Sequence, residues 1–160
     1  MATEGLRQLL LDGVHAVQGA GAVGAKAAAA IEKHATHPAL KAELKHGSEV
    51  AETWRQRLEA IERTAGGGSR SPADNGIIAA VHEAGETIAR RAETDAARDL
   101  GIVATGQIAL HYYIAAFGTL RAYAGALGLT DAAQRLQQCL DEAKAEDQRH
   151  TDLAAQILGA

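Results

Sequence analysis

The chain has 160 residues, of which 47% are hydrophobic and 22% are charged, and this composition is typical of one globular domain with a substantial core. The 16 Lys and Arg against 20 Asp and Glu give a formal net charge of -4, which excludes the basic surface expected of a nucleic-acid-binding protein. Only 3% of the residues are aromatic, so the core must be built mostly from Ala, Leu, Ile and Val. Close-packed helices accept such side chains, and the composition therefore predicts an all-α protein.

The cysteine content and the hydropathy pattern favour a cytoplasmic protein. The single cysteine, Cys139, excludes an internal disulfide framework and fits a reducing compartment. No segment approaches the roughly 20 continuous apolar residues that span a bilayer. The N-terminus also lacks the apolar segment of a secretory signal. We therefore expect no membrane association, and we expect Cys139 to be a small core residue.

Apolar residues at three- and four-residue spacing predict five helices. In chain order they cover residues 3–34, 38–63, 73–93, 98–126 and 130–158. The stretch 65–72, rich in Gly and Ser, predicts a flexible connection. Gly128 suits the left-handed conformation that ends a helix, and Thr130 suits the cap of the next helix.

The first predicted helix contains Gly19, Gly21 and Gly24, although a glycine in a helix interior costs about 1 kcal/mol relative to alanine. Such glycines either let a neighbouring backbone approach closely or leave room for something else. We expect close packing.

The lengths of the connections predict the topology. Short turns join the first helix to the second and the fourth to the fifth, so each pair should form an antiparallel hairpin. The third helix can then cross from one hairpin to the other. This arrangement is a ferritin-like four-helix bundle with one extra crossover helix, in a single domain covering residues 1–160.

Two ionisable residues on the apolar stripe of the fifth helix, Asp147 and His150, are the candidate site residues. A buried charge must be paired, hydrogen-bonded, neutralised or bound to a metal, because burying it alone is costly. The two residues are three positions apart on one face, which suits a hydrogen-bonded core pair with Tyr113 or Gln107 as partners. The same spacing suits metal ligation, with His46 or Tyr113 as the third ligand. We expect the hydrogen-bonded pair.

The remaining histidines predict no zinc site, because they have no cysteine partner at zinc-finger spacing. We expect His111 to pack sideways against the extra helix or a second subunit, and His46 to share a solvated helix edge with Glu49. Four further histidines are expected at the surface: His15, His34, His37 and His82.

The C-terminal hairpin carries a resemblance to a known family. The runs ARDLGIVATGQIALHYYIAAFGTLRAYAGALG and DEAKAEDQRHTDLA resemble the corresponding helices of the YciF-like family of ferritin-like stress proteins. The likeness is strongest over residues 98–154 and looser upstream. It implies a stress-associated bundle with acidic and His ligands that point inward from four helices onto two metal ions.

Five positions depart from the ligand pattern that this resemblance implies. The family's acidic residues correspond here to non-ligating or different side chains: Leu110, Tyr113, Ala143, Gly21 and Val50. Asp147 is the acidic position that persists. The resemblance therefore implies that a carboxylate-bridged two-metal centre has been lost, and that no cofactor is expected.

Three functions remain open at this point. The first is a non-catalytic, stress-associated scaffold, and we expect this rather than an enzyme. The second is a metalloprotein with a rearranged site for iron or another divalent metal, built on Asp147 and His150. The third is a ligand-binding bundle with a pocket lined by Gly21, Gly24 and Trp54.

A second apolar face on the fourth helix suggests self-association. It is formed by Ile102, Tyr112 and Leu120, and an apolar surface of this kind is expected to be buried against a partner. We therefore expect a homodimer.

Overall fold

The computed structural model describes residues 2–67 and 75–159, and its regular structure is entirely helical. The five helices are α1 (Ala2–His34), α2 (Pro38–Thr64), α3 (Gly76–Arg91), α4 (Asp95–Ala126) and α5 (Thr130–Leu158). The predicted all-α fold is confirmed. The predicted start of the third helix at residue 73 and most of the predicted connection 65–72 lie outside the described residues.

Side-chain caps lie at the start of α3 and α4, as the cap His37 does at the start of α2. The Oδ1 atom of Asn75 accepts a hydrogen bond from the Ile78 amide at the start of α3. Thr94 caps α4 by accepting from the Ala97 amide, so this helix begins three residues before its predicted start at residue 98. Gly128 has a φ of 71°, which confirms its predicted left-handed conformation. The predicted cap at Thr130 is wrong, because this residue already lies inside α5.

The helices form a ring of four with one helix outside it. Neighbours in the ring are α1 and α2, α2 and α5, α5 and α4, and α4 and α1, while α3 packs against α1 and α4. The α1–α2 pair is antiparallel, since Arg7 meets Ala65 whereas the later Gln18 meets the earlier Glu62. The α2–α5 pair is antiparallel, since Glu43 meets Arg149 whereas the later Arg57 meets the earlier Glu142. The helix α3 carries the chain back along α1 before α4 begins. The predicted architecture of two hairpins joined by a crossover helix is thus confirmed.

Two apolar clusters close the two ends of the bundle. The larger one lies where α1 begins and α4 ends, and its largest fully buried side chain is Phe117. The smaller one lies where α1 ends and α5 ends, around Leu40 and Leu153. The middle of the bundle between these clusters contains the candidate site.

The helix α4 is long and apolar enough to cross a membrane by length and composition alone. In the structure it packs against α1, α3 and α5. Ile102 and Leu120 are 4% and 3% exposed, and the Tyr112 hydroxyl accepts a hydrogen bond from Asn75 Nδ2 at 2.7 Å. Other parts of the same chain therefore cover the three residues that were predicted to form a dimer surface. The homodimer stays a prediction, but these residues no longer indicate its interface.

Candidate functional site

A cavity of about 830 Å³ occupies the middle of the bundle, mainly between α1 and α2. It exists because both helices present small residues there. A Cβ atom added at Gly21 or at Gly47 would meet no atom within 4 Å. The expected close packing at Gly21 is therefore wrong, and this glycine leaves room. The volume lies within the range of about 300–1,000 Å³ that is typical of ligand pockets.

One wall of the cavity is aromatic. The Trp54 ring centroid lies 5.2 Å from that of Tyr113 and 5.1 Å from that of Phe117. The indole is held from outside the cavity, where its Nε1 donates to Glu142 Oε2 at 2.8 Å. Arg57 also binds Glu142. Burial of Glu142 raises its pKa, but the hydrogen bonds from Arg57 and Trp54 outweigh this effect and lower it. The Trp54 ring is thus fixed in place.

The positions where the resemblance places metal ligands surround this cavity. Gly21, Val50, Leu110 and Tyr113 all line it, and Ala143 is fully buried nearby in the core. The first three have no donor atom in their side chains. Burial raises the pKa of Tyr113 well above its usual value, so its phenol stays protonated and is a poor metal ligand.

The candidate ligands Asp147 and His150 do not converge. Asp147 faces the outer groove between α4 and α5, where Gln107 Nε2 donates to its Oδ1 at 3.4 Å and His111 Nε2 lies 3.4 Å from its Oδ2. His150 lines the cavity, and its Nδ1 lies 2.9 Å from the backbone oxygen of Glu146 on its own helix. His111 is exposed beside Asp147, so of its two predicted neighbours α3 does not cover it, and a second subunit stays a prediction.

No group of three or more His, Cys, Asp or Glu side chains within the described ranges 2–67 and 75–159 has the geometry of a metal site. Of the two predicted third ligands, His46 pairs with a different carboxylate, and Tyr113 packs in the aromatic wall. The site residues predicted from the sequence are therefore not brought together.

A buried carboxylate pair at one end of the cavity was missed by the sequence reasoning. Glu43 and Glu146 are 8% and 6% exposed, and both line the cavity. Arg149 binds Glu43, with Nε 3.0 Å from Oε1 and Nη2 2.8 Å from Oε2. His46 Nε2 lies 3.0 Å from Glu146 Oε1, while 40% of its side chain is exposed, so this histidine of the predicted solvated edge also contacts the buried pair.

The pKa values of the two carboxyl groups are shifted in opposite directions. Burial opposes ionisation of Glu43, but hydrogen bonds with Arg149 and Glu146 outweigh it and lower its pKa. Burial raises the pKa of Glu146, and the neighbouring Glu43 raises it further against the opposing effect of His46. Glu146 is therefore the member of the pair that carries a proton more readily.

A second buried polar pair lies near the other end of the cavity. His15 is 6% exposed and its Nε2 lies 2.9 Å from Glu62 Oε1. Gln18 Nε2 donates to the other oxygen of Glu62 at 3.3 Å. The expectation that His15 is a surface residue is therefore wrong. His82 is also half-buried, beside Gly24, and burial lowers its pKa.

The sequence did contain a signal for the missed carboxylate on α5. Glu146 follows the core residue Ala143 by three positions and precedes His150 by four, so it shares their stripe. The partner Glu43 stands likewise four residues before Gly47 on the cavity face of α2. Which carboxylates meet depends on the register of α2 against α5, and periodicity within each helix does not determine that register.

Comparisons with known proteins agree with this fold. The model of the family DUF892, a domain of unknown function, matches residues 6–160. The chain belongs to the DUF892 family. A curated relative of this DUF892 chain is Protein YciF of Escherichia coli strain K12, which is 42% identical over 74 residues. That alignment covers 46% of this chain and 44% of YciF, so it spans less than half of the length of the relative.

Two solved structures share the architecture of this DUF892 protein. The crystal structure of the E. coli stress protein YciF superposes with a TM-score of 0.90 at 22% identity, covering 96% of this chain and 97% of that one. YcfI from Rhodopseudomonas palustris, provisionally described as a structural protein, superposes with a TM-score of 0.86 at 27% identity, covering 91% and 92%. The chain is thus YciF-like in fold over nearly its whole length.

Proposed function

We propose that the protein is a non-catalytic, stress-associated ferritin-like bundle that has lost the two-metal centre implied by its resemblance. The observation that carries this proposal is the lining of the central cavity. Gly21, Val50 and Leu110 stand there at positions where acidic ligands are implied, and none of them can bind a metal through its side chain. Asp147, which keeps its acid, is hydrogen-bonded to Gln107 in the outer groove.

The test is elemental analysis of protein purified without a metal-affinity tag, before and after aerobic incubation with ferrous iron. We expect no iron, manganese or zinc above the level of a buffer control. Asp147→Ala is the matched variant. Stoichiometric metal that disappears in Asp147→Ala would refute the proposal and would instead support a metalloprotein with a rearranged site.

A second function, binding of a small ligand with an apolar body, is supported by the cavity itself. The volume is about 830 Å³, and its walls include Gly21, Gly24 and Trp54, the residues expected around such a pocket. Trp54 is the only tryptophan of the chain, so its fluorescence reports on this wall alone. Binding of 1-octanol should change that fluorescence in the wild type, and Gly47→Leu, which places a side chain in the open space, should abolish the change.

A further inference from the structure

The buried end of the cavity lacks one hydrogen-bond donor. Glu146 is 6% exposed, and its Oε2 has no hydrogen-bond donor among the residues that the structure describes. Its Oε1 is supplied by His46 at 3.0 Å. The adjacent group is Glu43, a second acid, which can satisfy Oε2 only when a proton lies between the two carboxyl groups. That proton belongs to Glu146, whose pKa is raised, and an ammonium group from the cavity would replace it as the donor to Oε2, because a buried carboxylate without a donor is costly.

The same end of the cavity also lacks one positive charge. Arg149 neutralises Glu43 through two close contacts, whereas its Nε is 3.8 Å from Glu146 Oε1. His46 and His150 are the other titratable groups that face Glu146 from α2 and α5. Arg149 carries one positive charge, so loss of the Glu146 proton leaves two carboxylates that share a single arginine. A single cation would balance the second carboxylate.

The chemistry of the cluster favours an ammonium group over a metal ion. A divalent metal requires several anionic ligands, but Arg149 already occupies Glu43, and no metal-binding group is found in the described part of the chain. An ammonium carries one charge and up to three N–H donors. Beyond the carboxylates the cavity continues along α2 to Trp54, about 16 Å from Glu43 at 1.5 Å per residue. Its lining there includes the apolar residues Val50, Leu58 and Leu110, with polar residues such as Gln18 and Glu62 beside them.

We propose that this cavity binds a primary amine with an apolar body, whose ammonium group donates to Glu146 Oε2 while the body lies toward Trp54. The proposal rests on the second function given above, because it names the chemical class of the ligand in the same cavity.

The test is titration of the wild-type protein with octylamine, 1-octanol and octanoate near neutral pH, followed by Trp54 fluorescence and calorimetry. The three probes share a chain and differ in their head group. We expect octylamine to bind at least tenfold more tightly than 1-octanol, and octanoate to bind most weakly. Octyltrimethylammonium keeps the charge but has no N–H donor, and it should lose most of the preference.

Glu146→Gln should abolish the amine preference, because the amide keeps the size of the side chain and removes its charge. The matched control is Glu49→Gln, an exposed residue of α2 that does not line the cavity, and it should keep the preference. Unchanged melting temperatures would show that both variants fold. Equal binding of octylamine and 1-octanol by the wild type would overturn the amine proposal and leave the apolar pocket intact. Failure of all probes to bind would overturn both.

Discussion

Replacement of Asp99 should loosen the turn that joins α1 to α2. This residue of α4 is 2% exposed, and its carboxylate accepts three hydrogen bonds across the bundle. The donors are the Thr36 amide at 2.8 Å, the Thr36 hydroxyl at 2.7 Å and the His37 amide at 2.8 Å. In Asp99→Ala all three donors lose their acceptor, and the end of the bundle loses its link to α4.

The magnitude follows from the number of bonds and from the exposure of the donors. A hydrogen bond to a charged group contributes about 1.5–3 kcal/mol. Thr36 is exposed, so water can replace part of the hydrogen bonding that its amide and hydroxyl lose. We therefore expect a loss of roughly 3 kcal/mol, a large share of a typical total of about 5–15 kcal/mol. For a domain of this size the loss corresponds to a fall in melting temperature of roughly 6–12 °C.

Urea unfolding followed by circular dichroism measures this loss, with Asp12→Ala as the control. Asp12 is an exposed carboxylate that accepts one local bond from Gln8, and its replacement should change the stability by less than about 0.5 kcal/mol. An Asp99→Ala variant as stable as this control would refute the reasoning.

The same carboxylate should contribute to acid sensitivity. Burial opposes ionisation of Asp99, but the hydrogen bonds from Thr36 and His37 outweigh it and lower its pKa. A group whose pKa is lower in the folded state stabilises the protein above the unfolded value of about 3.9, and this contribution disappears as the pH falls through the folded value. The stability difference between wild type and Asp99→Ala should therefore be full at neutral pH and should shrink below about pH 4. A difference that is constant down to acidic pH would contradict the assignment.

Two further predictions concern packing. Gly21→Ala should raise the free energy of unfolding by up to about 1 kcal/mol, because the added methyl enters open space and improves helix propensity. Gly85→Ala should lower it by about 1 kcal/mol or more, because its Cβ would lie 2.8 Å from Thr105 Oγ1, and urea unfolding of both variants would show opposite signs. A third prediction concerns Cys139, which should react with a thiol reagent only when the protein unfolds. The residue is fully buried, and its burial raises the pKa of the thiol against the opposing effect of Arg57. Rapid labelling of the native protein would contradict this prediction.

Much of the fold could be predicted because periodicity and breakers act locally. Pro38 marks the start of α2, and Gly128 marks the end of α4, through their fixed or permissive backbone angles. Short turns then require antiparallel neighbours. The start of α4 was predicted three residues late because the polar cap at Thr94 precedes the apolar pattern. The crossover role of α3 followed from the short connections that pair the other four helices.

The candidate site was less predictable, because it depends on which residues of different helices meet. Gln107 donates to Asp147 at 3.4 Å, as one of its predicted partners, but Asp147 lies in the outer groove and forms no core pair with His150. The buried carboxylates Glu43 and Glu146 are 103 residues apart in the sequence, and no local pattern predicts that they meet. Three-residue spacing placed Asp147 and His150 on one stripe. The actual rotation of α5 directs Asp147 to the outer groove and leaves His150 at the cavity.

The middle of the bundle keeps features that single substitutions could remove at a gain in stability. Gly21 and Gly47 weaken the helices in which they lie, and the space beside them leaves neighbouring side chains without packing partners. Glu146 adds a buried carboxyl oxygen without a donor among the described residues. None of these features stabilises the bundle, so they favour the second proposed function, ligand binding in the cavity of a non-catalytic protein. Locally unfavourable residues that cluster at one place, while both ends of the bundle are well packed, are the pattern expected where stability is given up for binding.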